Sequence, residues 1–401
     1  MVSARLRTMP RASRFLRDVP PTLPVVALVS VLSCSGDGTG PGNLSKWALI
    51  SAGNAYTCAL TRAGTAYCWG ANPSGQLGDG TTVPRSAPTP VAGGLAFTDL
   101  ATTWDHSCGV VAAGAAYCWG TNTYGQLGDG STSSRASPAA VGGGLVFQSV
   151  APGEFHTCGI TASGTAYCWG SNAYGQLGDG TTTDRLTPTP VAGGIAFRSI
   201  STGDWHSCGL TAAGAAYCWG RNGNGQLGDS STADHLTPAR VAGGLTFQSL
   251  ALGFAHSCGV TATGIGYCWG EYCCGQLGVG MVPMNQIVST PARIVGGLIL
   301  RTITAFAEHT CGVTASGAAY CWGSDTGNLL GTGVLGYYVA EPTAVVGAPP
   351  LQSLKTGATH TCGLTSNGDA YCWGLPNDPV GVSLSVAAPC SSAGGRPGPQ
   401  P

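Results

Sequence analysis

The sequence predicts an all-β fold, a seven-bladed β-propeller with four antiparallel strands per blade and one hairpin disulfide inside each repeat. The main observation is that a segment of about fifty residues recurs seven times along the chain. A second is the composition, with 65 glycines and only 9% charged residues. Such a chain forms many turns and few long helices, as a propeller does.

Two cysteines separated by nine residues mark every copy of the repeat. The pairs are Cys58 and Cys68, Cys108 and Cys118, Cys158 and Cys168, Cys208 and Cys218, Cys258 and Cys268, Cys311 and Cys321, and Cys362 and Cys372. In the second copy, the two cysteines lie in the segments His106–Val110 and Gly114–Gly120, which recur elsewhere together with Gly125–Asp129. Seven copies are a number that closes a propeller ring.

Each copy carries the signals of four short strands. In the third copy, alternating runs predict strands at Phe147–Ala151, His156–Thr161 and Thr165–Trp169. A weaker fourth run lies around Pro190. Because proline cannot donate a hydrogen bond to a neighbouring strand, the fourth strand is expected at the edge of the sheet.

The loop between the second and third strands predicts the disulfide pairing. It has three residues and ends in glycine, as in Ala112-Ala113-Gly114, which fits a type I turn followed by a left-handed glycine. That register places Cys108 opposite Cys118, at a Cα separation of about 4.5–5.5 Å that a disulfide can bridge. Zinc sites use shorter spacings, so a disulfide within each repeat is favoured over metal binding.

The recurring residues resemble the regulator of chromosome condensation repeat family. The shared elements are the histidine segment at His106, the Gly-x-x-Tyr-x-Trp-Gly segment ending at Gly120 and the Gly-Gln-Leu-Gly segment ending at Gly128. The resemblance covers residues 46–388. The paired cysteines and the N-terminal segment are similar to the exported bacterial branch, which includes a β-lactamase-inhibiting propeller. The resemblance implies a propeller that binds proteins.

The N-terminal residues predict export. Five arginines precede an apolar stretch, Pro24–Leu32, as in a signal segment spanning residues 1–33. Val31–Cys34 resembles the lipobox of bacterial lipoproteins, which predicts that Cys34 is lipidated and that residues 34–45 are a flexible linker. The alternative is an ordinary cleaved signal with Cys34 as a spare thiol. The propeller then covers 46–388 and a Gly/Pro-rich tail 389–401, in a cell-envelope lipoprotein or a secreted protein.

Several function classes are disfavoured by the sequence. A net charge of -1, with no basic block after residue 17, disfavours nucleic acid as a partner. Nucleophile, base and acid do not recur at catalytic spacings, and there is no phosphate-binding loop ending in Lys-Ser/Thr. We therefore expect a monomer that is not an enzyme, needs no cofactor or metal, and contacts a membrane only through a lipid anchor.

Six histidines share one repeat position, where the first copy has Tyr56. They are His106, His156, His206, His256, His309 and His360. A ring of metal ligands is one interpretation, but the tyrosine favours a structural hydrogen-bonding role. Similarly, Asp79, Asp129 and Asp179 resemble calcium ligands, yet one carboxylate per loop favours turn formation.

Four cysteines lie outside the seven pairs: Cys34, Cys273, Cys274 and Cys390. A vicinal disulfide between Cys273 and Cys274 is one possibility. The sequence leaves the pairing of these four open.

The turn between the first and second strands varies most among the copies, which predicts a partner-binding surface. Because the strands are antiparallel, this turn and the loop after the third strand are expected at the same end of each blade. The predicted partner-binding residues are Trp104, Asp105, Glu154, Phe155, Asp204, Trp205, Phe254, Tyr124, Tyr174 and Tyr272. Rigid aromatic side chains beside acidic ones are typical of a protein-binding surface, although some could instead pack under neighbouring loops.

The function predicted is a non-enzymatic binding scaffold outside the cytoplasm, with a protein or glycan partner. Guanine-nucleotide exchange, implied by the best-known family member, and inhibition of a secreted enzyme are the alternatives. Finally, residues Val380–Val386 follow the last copy and are expected to supply an outer strand that joins the ends of the ring.

Overall fold

The computed structural model describes residues 46–281, 283, 286–334 and 336–374. These residues form seven antiparallel sheets, one for each sequence repeat, of which six have four strands and the last has three. We number the blades 1 to 7 in chain order. The predicted seven-bladed β-propeller is therefore confirmed. Within the part of the chain that the structure describes, no helix has the length and apolarity that a membrane span requires.

The strands follow the same order in every blade. Blade 1 contains β1 (Trp47–Ala52), β2 (Tyr56–Thr61), β3 (Ala66–Gly70) and β4 (Arg85–Pro90), and blade 2 contains β5 (Phe97–Thr102), β6 (His106–Val111), β7 (Ala116–Gly120) and β8 (Arg135–Ala140). Blade 3 contains β9 (Phe147–Pro152), β10 (His156–Thr161), β11 (Ala166–Gly170) and β12 (Arg185–Pro190), and blade 4 contains β13 (Phe197–Thr202), β14 (His206–Thr211), β15 (Ala216–Gly220) and β16 (His235–Arg240). Blade 5 contains β17 (Phe247–Leu252), β18 (His256–Thr261), β19 (Gly266–Tyr272) and β20 (Gln286–Arg293), and blade 6 contains β21 (Leu300–Phe306), β22 (His309–Thr314), β23 (Ala319–Ser324) and β24 (Tyr338–Ala344). Blade 7 contains β25 (Ser353–Thr356), β26 (His360–Leu364) and β27 (Ala370–Gly374), and two short 3-10 turns lie at Gly142–Gly144 and Ala242–Gly244.

The first strands of the blades form the inner ring of the propeller. Each first strand contacts the first strand of the next blade, and β25 of the last blade contacts β1 of the first. The ring is therefore closed by described residues, including a hydrogen bond from the Trp47 amide to the Gly368 carbonyl at 3.0 Å. Residues Val380–Val386 lie outside the described part, so the outer strand expected there stays a prediction.

The hairpin register agrees with the sequence prediction. In blade 2, Cys108 pairs with Cys118 and Gly109 with Tyr117. The turn residue Gly114 has a φ of 81°, the left-handed conformation that glycine adopts most readily. The cysteines of every hairpin are therefore directly opposed.

All seven predicted disulfides are present, each with a Cα separation of 4.1 Å. This separation is slightly shorter than the 4.5–5.5 Å expected for opposed strand residues. The disulfides join Cys58 to Cys68, Cys108 to Cys118, Cys158 to Cys168, Cys208 to Cys218, Cys258 to Cys268, Cys311 to Cys321, and Cys362 to Cys372. Apart from Cys372, which is partly exposed, these cysteines are fully buried. They belong to the cores of the blades and take no part in a surface site.

The hydrophobic core lies between adjacent blades. Trp119 of blade 2 is fully buried and packs with Leu60 and Leu77 of blade 1. Its indole N–H donates to the Gln76 carbonyl of blade 1 at 2.9 Å, which satisfies the polar atom that burial would otherwise leave unpaired. The equivalent tryptophans of blades 3 to 6 donate to the same position of the preceding blade.

Within the described residues, five of the six repeat histidines hydrogen-bond their own blade to the next, which confirms their predicted structural role, and His309 is the exception. His156 Nε2 lies 2.8 Å from Ser207 Oγ, and that hydroxyl donates to the Gln176 carbonyl at 2.9 Å. Since the hydroxyl proton is used in this way, His156 Nε2 must be the donor. Burial lowers the pKa of His156 to about 3, so its imidazole is neutral at physiological pH.

An equivalent histidine contact joins the last blade to the first. In the first copy, where tyrosine replaces the histidine, the tyrosine hydroxyl bonds to the next blade instead. His360 Nε2 of blade 7 lies 2.7 Å from Thr57 Oγ1 of blade 1. The Tyr56 hydroxyl lies 3.0 Å from Ser107 Oγ of blade 2 and donates to the His106 carbonyl at 2.8 Å.

The aspartates of the Gly-Asp loops organise those loops, as the sequence predicts. Asp79 Oδ1 accepts hydrogen bonds from the Thr81 amide and hydroxyl, and Asp79 Oδ2 pairs with Arg85. Burial alone would raise the pKa of Asp79, but hydrogen bonds from Thr81 and Arg85 lower it. Asp129 and Asp179 make equivalent contacts.

Candidate functional site: the turn face

The turns between first and second strands and the loops between third and fourth strands lie at the same end of the propeller, which we call the turn face. Tyr124, from the third-to-fourth loop of blade 2, has its ring 5.4 Å from that of Phe155, in the turn of blade 3. Tyr174 and Trp205 make the same contact one blade further on, at 5.3 Å. The arrangement expected from antiparallel strands is present.

These four side chains form a continuous stack, which we call the aromatic ladder: Tyr124, Phe155, Trp205 and Tyr174. Phe155 and Trp205 are at its centre, with ring centroids 4.3 Å apart. The guanidinium of Arg221 lies 5.2 Å from the Tyr174 ring centroid and extends the ladder with a cation–π contact. Tyr124 is 40% exposed, and the other three rings are partly exposed. The ladder therefore presents aromatic surface to solvent across blades 2 to 4.

Trp104 links three blades that are not neighbours. It belongs to the turn of blade 2, and its indole N–H donates to Asp204 Oδ1 of blade 4 at 3.1 Å. Its ring also lies 5.4 Å from Phe306 of blade 6. Because contacts with blades 4 and 6 require it to cross the middle of the ring, Trp104 lies over the central axis at the turn face.

Trp104 contacts Asp204, and two further carboxyl groups, those of Glu154 and Asp105, lie near enough to interact electrostatically within the same group. Asp204 is 5% exposed, and burial raises its pKa above the ordinary value. Burial and the adjacent Asp204 raise the pKa of Glu154, which is close enough to share a proton with it. Burial also raises the pKa of Asp105, whose Oδ1 accepts a hydrogen bond from Gln76 at 3.3 Å. Like charges this close are not both ionised readily.

Phe254 and Tyr272 lie apart from the ladder. Phe254 is partly exposed in the turn of blade 5, and its amide donates to the Ala307 carbonyl at 3.0 Å. The placement of Tyr272 on the binding surface is wrong. Tyr272 is 1% exposed and its hydroxyl donates to the Gly280 carbonyl at 2.8 Å. It occupies the repeat position of the buried Asn122, four residues after the second cysteine, whereas Tyr124 lies six residues after it.

Two residues of this region were missed by the sequence analysis. Phe306 stands three residues before the repeat histidine, where five other copies have glycine and the second has Thr103. Arg221 stands directly after the third strand, where blades 1 to 3 have Ala71, Thr121 and Ser171. In both cases a large side chain at a position of small residues was the available signal.

The turns of neighbouring blades approach closely. A Cβ atom added to Gly203 would lie 2.5 Å from the Gly253 carbonyl of the next blade. Glycine is therefore needed at position 203, where the turns of blades 4 and 5 meet.

A separate group of thiols lies between blades 5 and 6. Cys273 Sγ and Cys274 Sγ are 2.7 Å apart, and Cys274 Sγ lies 3.6 Å from Glu308 Oε2. These atoms lie within 4.8 Å of one another and could hold a metal ion, a grouping that the sequence analysis did not predict. Cys274 occupies the repeat position of Tyr124 and Tyr174. The other two unassigned cysteines, Cys34 and Cys390, lie outside the described residues.

Solved structures show the same fold. Human WBSCR16 aligns with a TM-score of 0.71 and 21% identity over 79% of this chain and 86% of that chain. Prp20p from Saccharomyces cerevisiae aligns with a TM-score of 0.69 and 24% identity, over 77% and 80%. The ectodomain of the Physcomitrella patens receptor kinase CR4 aligns with a TM-score of 0.53 and 22% identity, over 83% and 74%. No curated protein matches the sequence.

The repeat itself is matched at the level of families, by two forms of the Regulator of chromosome condensation (RCC1) repeat. One matches residues 63–110, 113–160, 163–210 and 213–260. The other matches residues 47–76, 97–126, 147–176, 197–226 and 352–378. Together they cover more than half of the 401 residues, and the chain therefore belongs to the regulator of chromosome condensation (RCC1) repeat family.

Proposed function

We propose that this chain is a non-enzymatic binding module outside the cytoplasm, and that its turn face binds a protein partner. The observation that carries the proposal is the aromatic ladder, which is partly exposed and braced by contacts at 4.3–5.4 Å. Aromatic side chains that are already held in place lose little conformational entropy when a partner covers them, so they suit the centre of an interface. The polar loops around them suit its rim.

Protein binding is also stated of the yeast structural neighbours. Yeast RCC1 (Prp20) has been solved bound to Kap60, and Prp20p is described with binding properties to Gsp1p and histones. We do not carry those partners over, because the identity is 24% or less. These neighbours support the proposal only in that a propeller of this fold can bind other proteins.

The test is affinity capture from the cell envelope of the source cells, followed by calorimetry with the captured protein. Trp104→Ala combined with Trp205→Ala removes one central ring and one ladder ring. We expect this variant to lose roughly a thousandfold in affinity, since buried aromatic anchors cost at least about 2 kcal/mol each and 1.4 kcal/mol is tenfold. A Val146→Ala control alters a residue that is 60% exposed, in the connection before β9, at the opposite end of the propeller.

The result would contradict the proposal if the double variant bound the captured protein as tightly as the control. Because Trp104 also contacts Phe306 and Asp204, thermal unfolding of each variant must be measured. A single Tyr124→Ala variant removes the most exposed ring of the ladder. If the double variant unfolds, this single variant should still show weaker binding of the captured protein than the control.

Export and anchoring complete the proposal. Residues 1–33 would be the signal segment, residues 34–45 the lipidated Cys34 and its linker, and residues 389–401 a tail beyond the propeller. Seven disulfides within the described residues suit an oxidising compartment. Cys34→Ser should abolish labelling by a radioactive fatty acid and release the protein from the membrane fraction. Unchanged labelling would contradict lipidation at Cys34.

A further inference from the structure

Asp204 has a buried oxygen for which the described residues supply no N–H or hydroxyl donor. Its Oδ1 accepts the Trp104 indole N–H, whereas Oδ2 has no such partner. The group adjacent to Asp204 is the carboxyl of Glu154, another acid, which can satisfy Asp204 only by carrying a proton. The pair can therefore satisfy the buried Asp204 oxygen only by keeping a proton, whereas a cationic donor from outside the chain would satisfy both carboxylates in their charged form.

Among the described residues, no basic side chain forms an ion pair with either acid. The ion pairs join Lys46 to Asp369, three loop arginines to their aspartates and His235 to Asp229. The neighbouring Arg221 is positioned over Tyr174. The other charged group acting on Glu154 is Asp105, which adds further negative charge. The turn face thus carries an acidic pair without a counter-charge.

We propose that Glu154 and Asp204 form a receptor for a lysine or arginine side chain presented by the protein partner on the turn face. This inference rests on the proposed function. Glu154 is partly exposed and adjoins Phe155 of the ladder, while Asp204 is held by Trp104. An incoming cation would therefore meet two carboxyl groups between aromatic rings, and both ion pairing and cation–π attraction favour it.

A metal ion fits this pair less well than a basic side chain. Calcium needs six to eight oxygen ligands. Within the described ranges, Asp105 does not join Glu154 and Asp204 in a set of three ligand atoms close enough for one ion, because the only such set is that of Cys273, Cys274 and Glu308. A guanidinium or ammonium group needs only the two carboxylates.

Binding of a cation should displace the proton that the two acids share. The shared proton leaves to solvent, and both carboxylates then face the bound cation. Burial and Asp204 raise the pKa of Glu154 to about 9, so the free protein keeps this proton at neutral pH. The complex should therefore form more tightly as the pH rises through neutrality toward 9, and it should hold one proton fewer than the free protein. The groups involved are Glu154 and Asp204, with Asp105 nearby.

The test uses a small probe and so does not depend on identifying the partner. N-acetyl-arginine methylamide and its neutral isostere N-acetyl-citrulline methylamide are titrated into the folded protein, and the Trp104 indole N–H is followed by NMR. We expect the arginine probe to bind at least about tenfold more tightly, a difference of about 1.4 kcal/mol. Glu154→Gln should remove that preference while keeping the side-chain shape.

The matched control is Asp184→Ser, which removes an exposed carboxylate from a loop of the same face. Ser134 stands at that position in blade 2 and makes the same contact within its loop, since Asn122 N donates to Ser134 Oγ and Asn172 N to Asp184 Oδ1. This variant should keep the preference for arginine. Equal or absent binding of the two probes, or an unchanged preference in Glu154→Gln, would overturn the receptor. If Trp205→Ala still abolished capture of the partner, the proposed function would stand without it.

Discussion

His206 Nε2 lies 2.9 Å from Ser257 Oγ, across the interface between blades 4 and 5. The Ser257 hydroxyl donates in turn to the Gln226 carbonyl at 2.8 Å. One buried hydroxyl therefore satisfies both an imidazole and a loop carbonyl of the preceding blade. The same histidine contact recurs at four other blade interfaces, with serine or threonine at the position of Ser257. Those interfaces show which residues can replace Ser257 while keeping the hydrogen bond.

Ser257→Ala should destabilise the propeller, because it leaves the His206 N–H buried without a partner. The Gln226 carbonyl loses one of its two hydrogen bonds and keeps the one from the Trp269 indole N–H. A buried group left unpaired costs about 1–3 kcal/mol, so we expect a loss of that size in the free energy of unfolding. Denaturant titration measures it. Ser257→Thr is the matched control, since Thr157 and Thr310 occupy this position in other blades. Equal midpoints for the two variants would show that the hydroxyl is not needed.

The protein should lose stability as the pH falls below about 6.5. Burial lowers the pKa of His106, His156, His206, His256 and His309 to about 3, whereas an unfolded chain protonates histidine near 6.5. Between these values the unfolded chain binds more protons, so each buried histidine removes about 1.4 kcal/mol of stability per pH unit. Urea unfolding from pH 7 to pH 5 measures the slope.

A tyrosine variant provides the control for this pH dependence. His206→Tyr places at blade 4 the residue that Tyr56 supplies at blade 1, where its hydroxyl reaches the same serine position. The slope of the free energy of unfolding against pH should become shallower by the contribution of one histidine, about 1.4 kcal/mol per pH unit. An identical slope in the variant would mean that His206 does not titrate on unfolding.

Each hairpin disulfide should be found within its own repeat. Non-reducing peptide mapping should recover Cys108 linked to Cys118, and links between repeats would contradict the register of the blades. Cys108→Ala combined with Cys118→Ala should cost about 2–3 kcal/mol in the chain-entropy picture, or less, because the hairpin keeps its backbone pairing. The same map would show whether Cys273 is bonded to Cys274.

Deletion of residues 376–401 should lower the melting temperature sharply. Blade 7 has three described strands, and a groove of about 320 Å³ beside β27 is lined by Trp373, Tyr371, Val345 and Val346. The Trp373 indole N–H has no partner among the described residues. The segment Val380–Val386 is long enough to pair with β27. Deletion of 389–401 alone is the control and should change nothing, whereas equal melting temperatures for both deletions would exclude the fourth strand.

Repetition made most of the fold predictable. The cysteine spacing and the glycine of the hairpin turn determine the register of Cys108 and Cys118, and seven copies of one unit imply a closed ring. The sequence also predicted that the histidines form hydrogen bonds. Tyr56 occupies their position in the first copy, and tyrosine can replace histidine as a hydrogen-bonding residue more readily than as a metal ligand.

The candidate site was less predictable, because its contacts join residues of different repeats. The aromatic ladder follows from two repeat positions, Tyr124 and Phe155, whose strands emerge at the same end. The approach of Trp104 to Phe306 depends on the diameter of the ring, which the sequence does not state. Tyr272 was placed on the surface because it was compared with Tyr124. Tyr272 lies two positions closer to the preceding cysteine than Tyr124 does, and the residue at that position is buried.

The interface between blades 6 and 7 departs from the others. Among the described residues, the His309 ring makes no hydrogen bond to blade 7 and the Trp373 indole N–H lacks a partner. Leu329 replaces the loop glutamine. The Thr361 hydroxyl still donates to the Leu329 carbonyl at 3.2 Å, and Arg301 still reaches the Leu351 carbonyl at 2.9 Å. In a closed ring of similar units, the least satisfied interface opens first. Amide hydrogens of β26 and β27 should therefore exchange with solvent faster than those of blades 2 to 5. The ring would then open reversibly at blade 7 while blades 2 to 5 stay assembled.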